Sequence, residues 1–333
     1  MFKRLVSPDR LSSMALGSLL AVLSGSRSIA AETSAPTDLF TLCLATLPEA
    51  RPDSIWSAWS FAPAVVIPVA LAALLYARGL VSERATPGRT HRPTVSQGAL
   101  FAVGIGCLVT ALMSPLCRMA ATLAWAHMVQ HVLLVVGAPL FFALSRPGRT
   151  LLMGLPTGIR TRAAAWGSAA AGPQSYAYLL VSFLLYGFNI WFWHIPALYE
   201  AALLNTGMHL LMYASLLAVS LMFWHALLES RRMSGAAGIA AVLLFFTFLH
   251  TGGLGIFLTL SPRAWYPLMA MRSAAWGILP LDDQRLAGLI MWVPMGGVYV
   301  VVALALVARL IRTSGQIPVG QPPLDRSEPL RSR

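Results

Sequence analysis

Residues 123–144 read LAWAHMVQHVLLVVGAPLFFAL, an apolar run that contains no charged residue. A helix needs about 20 mostly apolar residues to cross the roughly 30 Å of hydrocarbon in a bilayer. Lipid offers no partner for backbone N–H and C=O groups, so a spanning segment must pair them internally as a helix. This run is therefore predicted to be a membrane-spanning helix that carries two histidines.

Six further segments have the same length and apolar character. Of the 333 residues, 57% are hydrophobic and 11% are charged, and the mean hydropathy of +0.69 is far above that of ordinary soluble domains. The sequence predicts an all-α integral membrane protein, a bundle of about seven transmembrane helices. The predicted spans are about 61–80, 97–116, 123–144, 174–194, 208–228, 236–260 and 285–311.

The two ends of the chain differ from this central domain. Residues 1–31 are typical of a signal peptide, with basic residues, a short apolar stretch and then small residues; an uncleaved anchor is the alternative. Cleavage would leave residues 32–60 as a periplasmic N-terminal segment before the seven-helix domain over residues 61–312. Residues 313–333 are predicted to be a disordered cytoplasmic tail.

Arginines indicate which ends of the predicted helices face the cytoplasm. They follow the first, third and fifth spans, whereas the intervening connections hold few. The N-terminus is therefore predicted outside after cleavage of the signal, and the C-terminus in the cytoplasm. The net charge of +12 is read as this topology signal and not as a nucleic-acid-binding face. The arginines are Arg78, Arg84, Arg89, Arg92, Arg146, Arg149, Arg160, Arg162, Arg231 and Arg232.

Most histidines fall near the predicted outer face. Ionisable residues are costly inside a membrane and commonly act there as ligands or proton carriers. His225 and His91 lie towards the cytoplasm and are excluded. A metal site is predicted where five histidines from four helices reach a similar depth. These five are His127, His131, His194, His209 and His250.

Sulfur ligands accompany these histidines. Several methionines map to the outer halves of the spans, and Cys117 to the outer end of the second span. Cys43, Cys107 and Cys117 form no CxxC pair, so no disulfide framework is predicted. Thioether, thiol and imidazole ligands suit copper, especially Cu(I), although zinc stays open. The predicted metal ligands are His127, His131, His194, His209, His250, Met128 and Cys117.

Other function classes find less support. The chain has no GxSxG, Walker or Rossmann motif, and residues 127–131 lack the glutamate of HExxH, so an enzyme is not predicted. A haem-binding membrane redox protein that uses the same histidines as axial ligands is the main alternative. A transporter with a histidine relay is a third, disfavoured because no internal repeat is evident. Gly252-Gly253 and Gly296-Gly297 are predicted to be sites of close helix packing.

Three stretches closely resemble the multi-spanning CtaG family of cytochrome c oxidase assembly factors, and the likeness extends from about Trp56 to Arg312. The stretches are 112–142, LMSPLCRMAATLAWAHMVQHVLLVVGAPLFF; 193–199, WHIPALY; and 283–294, DQRLAGLIMWVP. Two departures concern the metal site. Cys117 stands where many members have aspartate, and Tyr213 where a second histidine often follows.

The resemblance implies a bacterial inner-membrane protein that matures a haem-copper oxidase by delivering copper. The family's histidine pair maps onto His127 and His131, its Trp-His-x-Pro motif onto His194, and the histidine that opens the next helix onto His209. The expected partners are cytochrome c oxidase subunits, periplasmic copper chaperones and the lipid bilayer.

Overall fold

The computed structural model describes residues 39–85, 93–170, 176–230 and 235–314. Over these residues the chain is helical without strands, and seven helices are long and apolar enough to cross a membrane. The predicted all-α bundle is confirmed. The predicted signal peptide and nearly all of the predicted tail lie outside the described residues.

The candidate spans follow the predicted segments closely, although the last begins five residues earlier than expected. They are α1 (Pro63–Ala85), α2 (Val95–Leu112), α4 (Ala124–Ser145), α7 (Tyr176–Trp193), α9 (Thr206–Glu229), α10 (Ala236–Leu260) and α12 (Pro280–Ser314). Shorter helices connect them at both ends. These are α3 (Pro115–Ala120), α5 (Gly148–Gly154), α6 (Thr157–Ala170), α8 (Pro196–Leu204) and α11 (Pro267–Arg272).

Helix α4 carries the histidine pair and is not uniform along its length. A π-helical turn over Leu133–Gly137 follows the first α-helical part. The carbonyl oxygen of Val135, inside this turn, accepts a hydrogen bond of 3.0 Å from the Trp224 indole of α9. π-Turns inside helices often occur at functional sites, and this one begins two residues after His131.

Helices α10 and α12 form the most extensive helix pair, and glycines set their separation. A β-carbon at Gly288 would collide with Thr259 and with the backbone of Gly255, so only glycine permits this approach. The prediction of close packing at Gly252-Gly253 and Gly296-Gly297 was mostly wrong. A β-carbon at Gly252, Gly253 or Gly297 would meet open space, whereas one at Gly296 would meet the side chain of Phe248.

A segment before the first span, residues 39–62, crosses one end of the bundle; we call it the strap. Its backbone is tied to several elements there: Ser60 N–H donates to the Met113 carbonyl (2.9 Å), Ala45 N–H to the Leu203 carbonyl (3.0 Å), and Arg272 to the carbonyls of Ala45 and Leu47 (2.7 and 3.0 Å). A disulfide joins Cys43 of the strap to Cys117 of α3. The same end holds the start of α4 and α9 and the end of α7.

The opposite end carries arginines and their acidic partners. Glu83 is buried, lies 3.7 Å from Arg149 and accepts a hydrogen bond from Thr150. Glu229 lies 3.6 Å from Arg146, whose left-handed backbone conformation ends α4. The bundle therefore separates an arginine-rich end from the end that the strap covers.

Candidate metal centre

Four of the five predicted histidines meet beneath the strap. The ring centres of His127 and His131 lie 4.3 Å apart, and those of His131 and His194 lie 5.9 Å apart. His209 is close enough to His127 to interact with it electrostatically. None of the four side chains is more than 5% exposed. Three separate helix ends thus bring buried imidazoles together.

The local sequence explains why these side chains converge. His127 and His131 are one turn apart and therefore share one face of α4. His194 directly follows α7, where Pro196 starts the next helix. Asn205 caps α9 by accepting a hydrogen bond from the Met208 N–H (3.0 Å), which places His209 in the first turn of that helix.

Hydrogen bonds orient three of the four rings in the same way. The Nδ1 atoms of His127, His194 and His209 lie 3.1, 2.7 and 2.8 Å from the carbonyl oxygens of Ala120, Ile190 and Ala202. A carbonyl oxygen only accepts, so each Nδ1 carries the proton. In the neutral ring, each Nε2 then has a free lone pair, which is the form that ligates metals.

The Nε2 atoms have no other use in the described part of the chain. Those of His127, His131, His194 and His209 are all buried and have no hydrogen-bond partner. Each buried polar atom without a hydrogen-bond partner lowers the stability of the fold by about 1–3 kcal/mol. Four such atoms close together therefore call for an explanation. A metal ion beside His131 and His194, the two of these histidines that line a cavity, would use two of the four lone pairs.

The residues around a small cavity identify where an ion can fit. The cavity has a volume of about 20 Å³, which is room for a water molecule or a single ion. Two histidines and three methionines contribute to its wall, together with apolar side chains. Its lining residues are Met128, His131, Val132, Val135, Ile190, His194, Leu216, Met291 and Met295.

The structure does not bring His250 to the other four histidines. Its ring lies beside Phe183 on α7, 6.1 Å between centres, and its Nδ1 accepts a long hydrogen bond (3.4 Å) from Trp191. Gly187, two turns before the end of α7, is also in contact with this ring. The contacts of His250 are thus with side chains of α7 and not with the other four rings, which differs from the expectation of one common site.

The structure also removes Cys117 from the predicted ligand set. Its sulfur is bonded to Cys43, and a disulfide sulfur has no thiolate to offer a metal ion. The expectation that the cysteines form no disulfide was wrong because the strap folds back across 74 residues of sequence to reach α3. Cys107 is the one free cysteine of the described chain and lies on α2.

Imidazoles alone do not complete a coordination shell. Within the described ranges, no three His, Cys, Asp or Glu side chains are grouped closely enough to hold a metal ion. The pair His131 and His194 comes together at the cavity with Met128, which the sequence analysis predicted as a ligand, and with Met291 and Met295. Any complete site at this cavity therefore includes thioether sulfur.

Sequence reasoning missed two residues that shape this centre. Asp283 of α12 is 1% exposed, and its two carboxylate oxygens accept hydrogen bonds from the first N–H groups of α4, those of Ala124 (2.8 Å) and Trp125 (3.0 Å). Tyr199 of α8 packs on the His127 ring, with 4.7 Å between centres. Burial raises the pKa of the Tyr199 hydroxyl well above its usual range, aided by Tyr266, so it stays neutral.

The arrangement defines a polytopic membrane protein with a buried imidazole and thioether centre at one end of its bundle. Among known proteins, the model of one family, the cytochrome c oxidase caa3 assembly factors called CtaG, matches residues 74–313. The chain belongs to this family, which confirms the resemblance noted in its sequence. Neither the curated proteins nor the solved structures that were compared gave a match.

Proposed function

We propose that this cytochrome c oxidase assembly factor binds copper at the histidine cluster and delivers it to the oxidase. The observation that carries the proposal is the set of four buried Nε2 atoms without a partner, three of them on rings fixed by backbone carbonyls. Imidazole and thioether ligands suit copper better than they suit magnesium, calcium or manganese. The role is that of a metallochaperone and not of an enzyme.

Two independent features support an external position for this site. The arginines lie at the opposite end of the bundle, as expected for a cytoplasmic face. The Cys43–Cys117 disulfide lies at the site end, and disulfides persist in oxidising compartments such as the bacterial periplasm. In an inner-membrane protein, copper would then arrive from periplasmic copper chaperones and leave towards oxidase subunits in the same bilayer.

The size of the cavity argues against the haem alternative. Pockets for molecules of cofactor size have volumes of about 300–1,000 Å³. The cavity beside His131 and His194 has about 20 Å³, which suits an ion. A Soret band in purified protein that lacks copper would favour haem, whereas metal uptake into sealed vesicles would favour a transporter.

The test removes the histidine pair of α4. We expect His127→Ala/His131→Ala protein to insert in the membrane and to purify with markedly less copper than the wild type. Cells that carry it should make oxidase deficient in copper and in activity. Metal analysis of the purified protein and oxidase assays on membranes measure the two effects.

The matched control is His225→Ala. His225 is exposed near the arginine-rich end of α9 and contacts Tyr178 rather than the cluster. This variant should keep wild-type copper and support full oxidase activity. Unchanged copper and activity in the double variant would refute the proposal, and size-exclusion chromatography in detergent excludes misfolding as the cause of a loss.

A further inference from the structure

We propose that the bound ion is Cu(I) and that its ligands are His131, His194, Met291 and Met295, with Met128 beside them in the cavity wall. This inference rests on the proposed function and names its cargo and its ligand set. Two of these ligands, Met291 and Met295, belong to α12 and bring a third helix into the centre.

The five side chains line one cavity from three directions. Met128 and His131 are three residues apart on α4, and Met291 and Met295 are four apart on α12, so each pair shares a helix face. His194 enters from the end of α7. A metal ion lies about 2 Å from each imidazole nitrogen that binds it, so the centres of two rings that share an ion are roughly 5–6 Å apart, depending on the angle at the ion. The His131 and His194 ring centres are 5.9 Å apart.

The donor set distinguishes Cu(I) from Zn(II). Thioethers are soft ligands that select Cu(I), whereas zinc sites in proteins use thiolate, imidazole and carboxylate. No group of three such zinc ligands exists in residues 39–85, 93–170, 176–230 and 235–314. Asp283, the buried carboxylate of α12, uses both oxygens to cap α4.

Charge favours the same ion. Every residue in the cavity wall is neutral when the histidines are unprotonated, so the site offers no anion to compensate a bound cation. The cost of burying an ion in a medium of low dielectric constant rises with the square of its charge. Cu(I), with a single positive charge, therefore pays about one quarter of the cost of Cu(II) or Zn(II).

Methionine also suits a site that must release its metal. A thioether is uncharged, its side chain has three rotatable bonds, and it adapts to irregular cavities. Met291 and Met295 can hold Cu(I) and then move aside one after the other as ligands of the receiving protein replace them. The His194 imidazole, which the Ile190 carbonyl fixes, would meanwhile keep the ion in place.

The experiment replaces the two new ligands with a residue of similar volume. Wild type and Met291→Leu/Met295→Leu protein, purified in detergent, compete with bicinchoninate for Cu(I) and with a chromogenic chelator for Zn(II). We expect the Cu(I) affinity of the variant to fall at least about tenfold, since even partners outside the ligand shell cost about 10- to 100-fold. The Zn(II) affinity, which we expect to be weaker than the Cu(I) affinity in both proteins, should be the same in the variant as in the wild type.

X-ray absorption provides a second measurement that a purely structural role would not affect. Copper in the wild type should have sulfur neighbours at about 2.3 Å and nitrogen neighbours at about 2.0 Å. Selenomethionine-labelled wild type should show copper as a neighbour of selenium, a test that needs no substitution. The control is the double variant Met222→Leu/Met271→Leu. Met222 lies on α9 and Met271 is exposed on α11, and neither lines the cavity, so its Cu(I) affinity and copper spectrum should match those of the wild type.

Two results would overturn the inference and are distinguishable from each other. The first is copper bound by nitrogen alone, together with wild-type Cu(I) affinity in the Met291→Leu/Met295→Leu protein. This result would show that the thioethers are not ligands, while the proposed function would stand. Wild-type protein that binds neither Cu(I) nor Cu(II) would remove the proposed function, and this inference with it.

Discussion

A single hydrogen bond selects the tautomer of three of the four buried imidazoles. The carbonyls of Ala120, Ile190 and Ala202 accept hydrogen bonds from the Nδ1–H groups of His127, His194 and His209, and this leaves each Nε2 buried with a lone pair and no partner. Each of these carbonyls lies four to seven residues before its histidine in the chain. The tautomer of these three rings is therefore set by local backbone geometry, which leaves Nε2 free to act as a ligand.

Asp283 provides the first prediction at this scale. Asp283→Ala should lower the unfolding temperature, because it leaves the Ala124 and Trp125 N–H groups buried without a partner and removes a negative charge from the N-terminus of α4. Loss of a capping residue costs about 0.5–2 kcal/mol. Thermal unfolding in detergent, together with copper content, measures the effect.

The neighbouring residue is a matched control. Asp282 is exposed and pairs only with Arg285 across one turn, at 3.2 Å. Exposed pairs of this kind contribute little, so Asp282→Ala should unfold close to the wild-type temperature. Equal unfolding temperatures for the two variants would contradict the capping role of Asp283.

Among the elements, the strap has the clearest link to the site. It runs over the starts of α4 and α9 and is held by the disulfide, by Arg272, and by Trp276, whose indole donates to the Ala50 carbonyl (2.7 Å). A disulfide stabilises a fold mainly by restricting the unfolded chain, by about 2–4 kcal/mol. The disulfide therefore helps to hold the strap on the end of the bundle where the imidazoles lie.

Removing the disulfide should loosen the strap. We expect Cys43→Ala/Cys117→Ala protein to be cut within residues 39–62 faster than the wild type, because only hydrogen bonds and the packing of a few apolar side chains such as Leu42 and Leu44 then hold the segment. Limited proteolysis with mass spectrometry detects the cut. Cys107→Ala, which changes the free cysteine of α2, should be cut at the wild-type rate. A strap equally resistant in both variants would show that the disulfide is dispensable for its docking.

For the molecule as a whole, the site is defined by the end of the bundle on which it lies. Helices α4 and α9 start at the same end, so His127 and His209 lie on one side of the bilayer. The arginine-rich connections, including Arg149 and Arg160, lie at the other end, and the positive-inside rule assigns them to the cytoplasm.

Reporter fusions test this orientation. Alkaline phosphatase joined after Asn205 should be active, because it would be exported, and the same reporter joined after Leu155 should be inactive. Green fluorescent protein fusions at the two positions should give the reverse pattern. Activity after Leu155 and none after Asn205 would place the cluster in the cytoplasm, where periplasmic copper could not reach it directly.

The sequence by itself determined the seven spans and the shared face of His127 and His131. Length, hydropathy and the spacing of residues along one helix are local properties, so a single segment contains the information. The sequence also predicted that His194 and His209 lie at neighbouring helix ends, because the alternation of arginine-rich connections orders the spans across the membrane.

Only the tertiary structure decided which side chains meet at the cavity. These helices are apolar all round, so their sequences do not mark the face that turns inward, and packing against neighbouring helices sets the rotation of each one. This rotation excludes His250 and brings in Met291 and Met295. The sequence also did not predict that Cys43 would be the disulfide partner of Cys117, because the path of the strap depends on contacts between residues far apart in sequence.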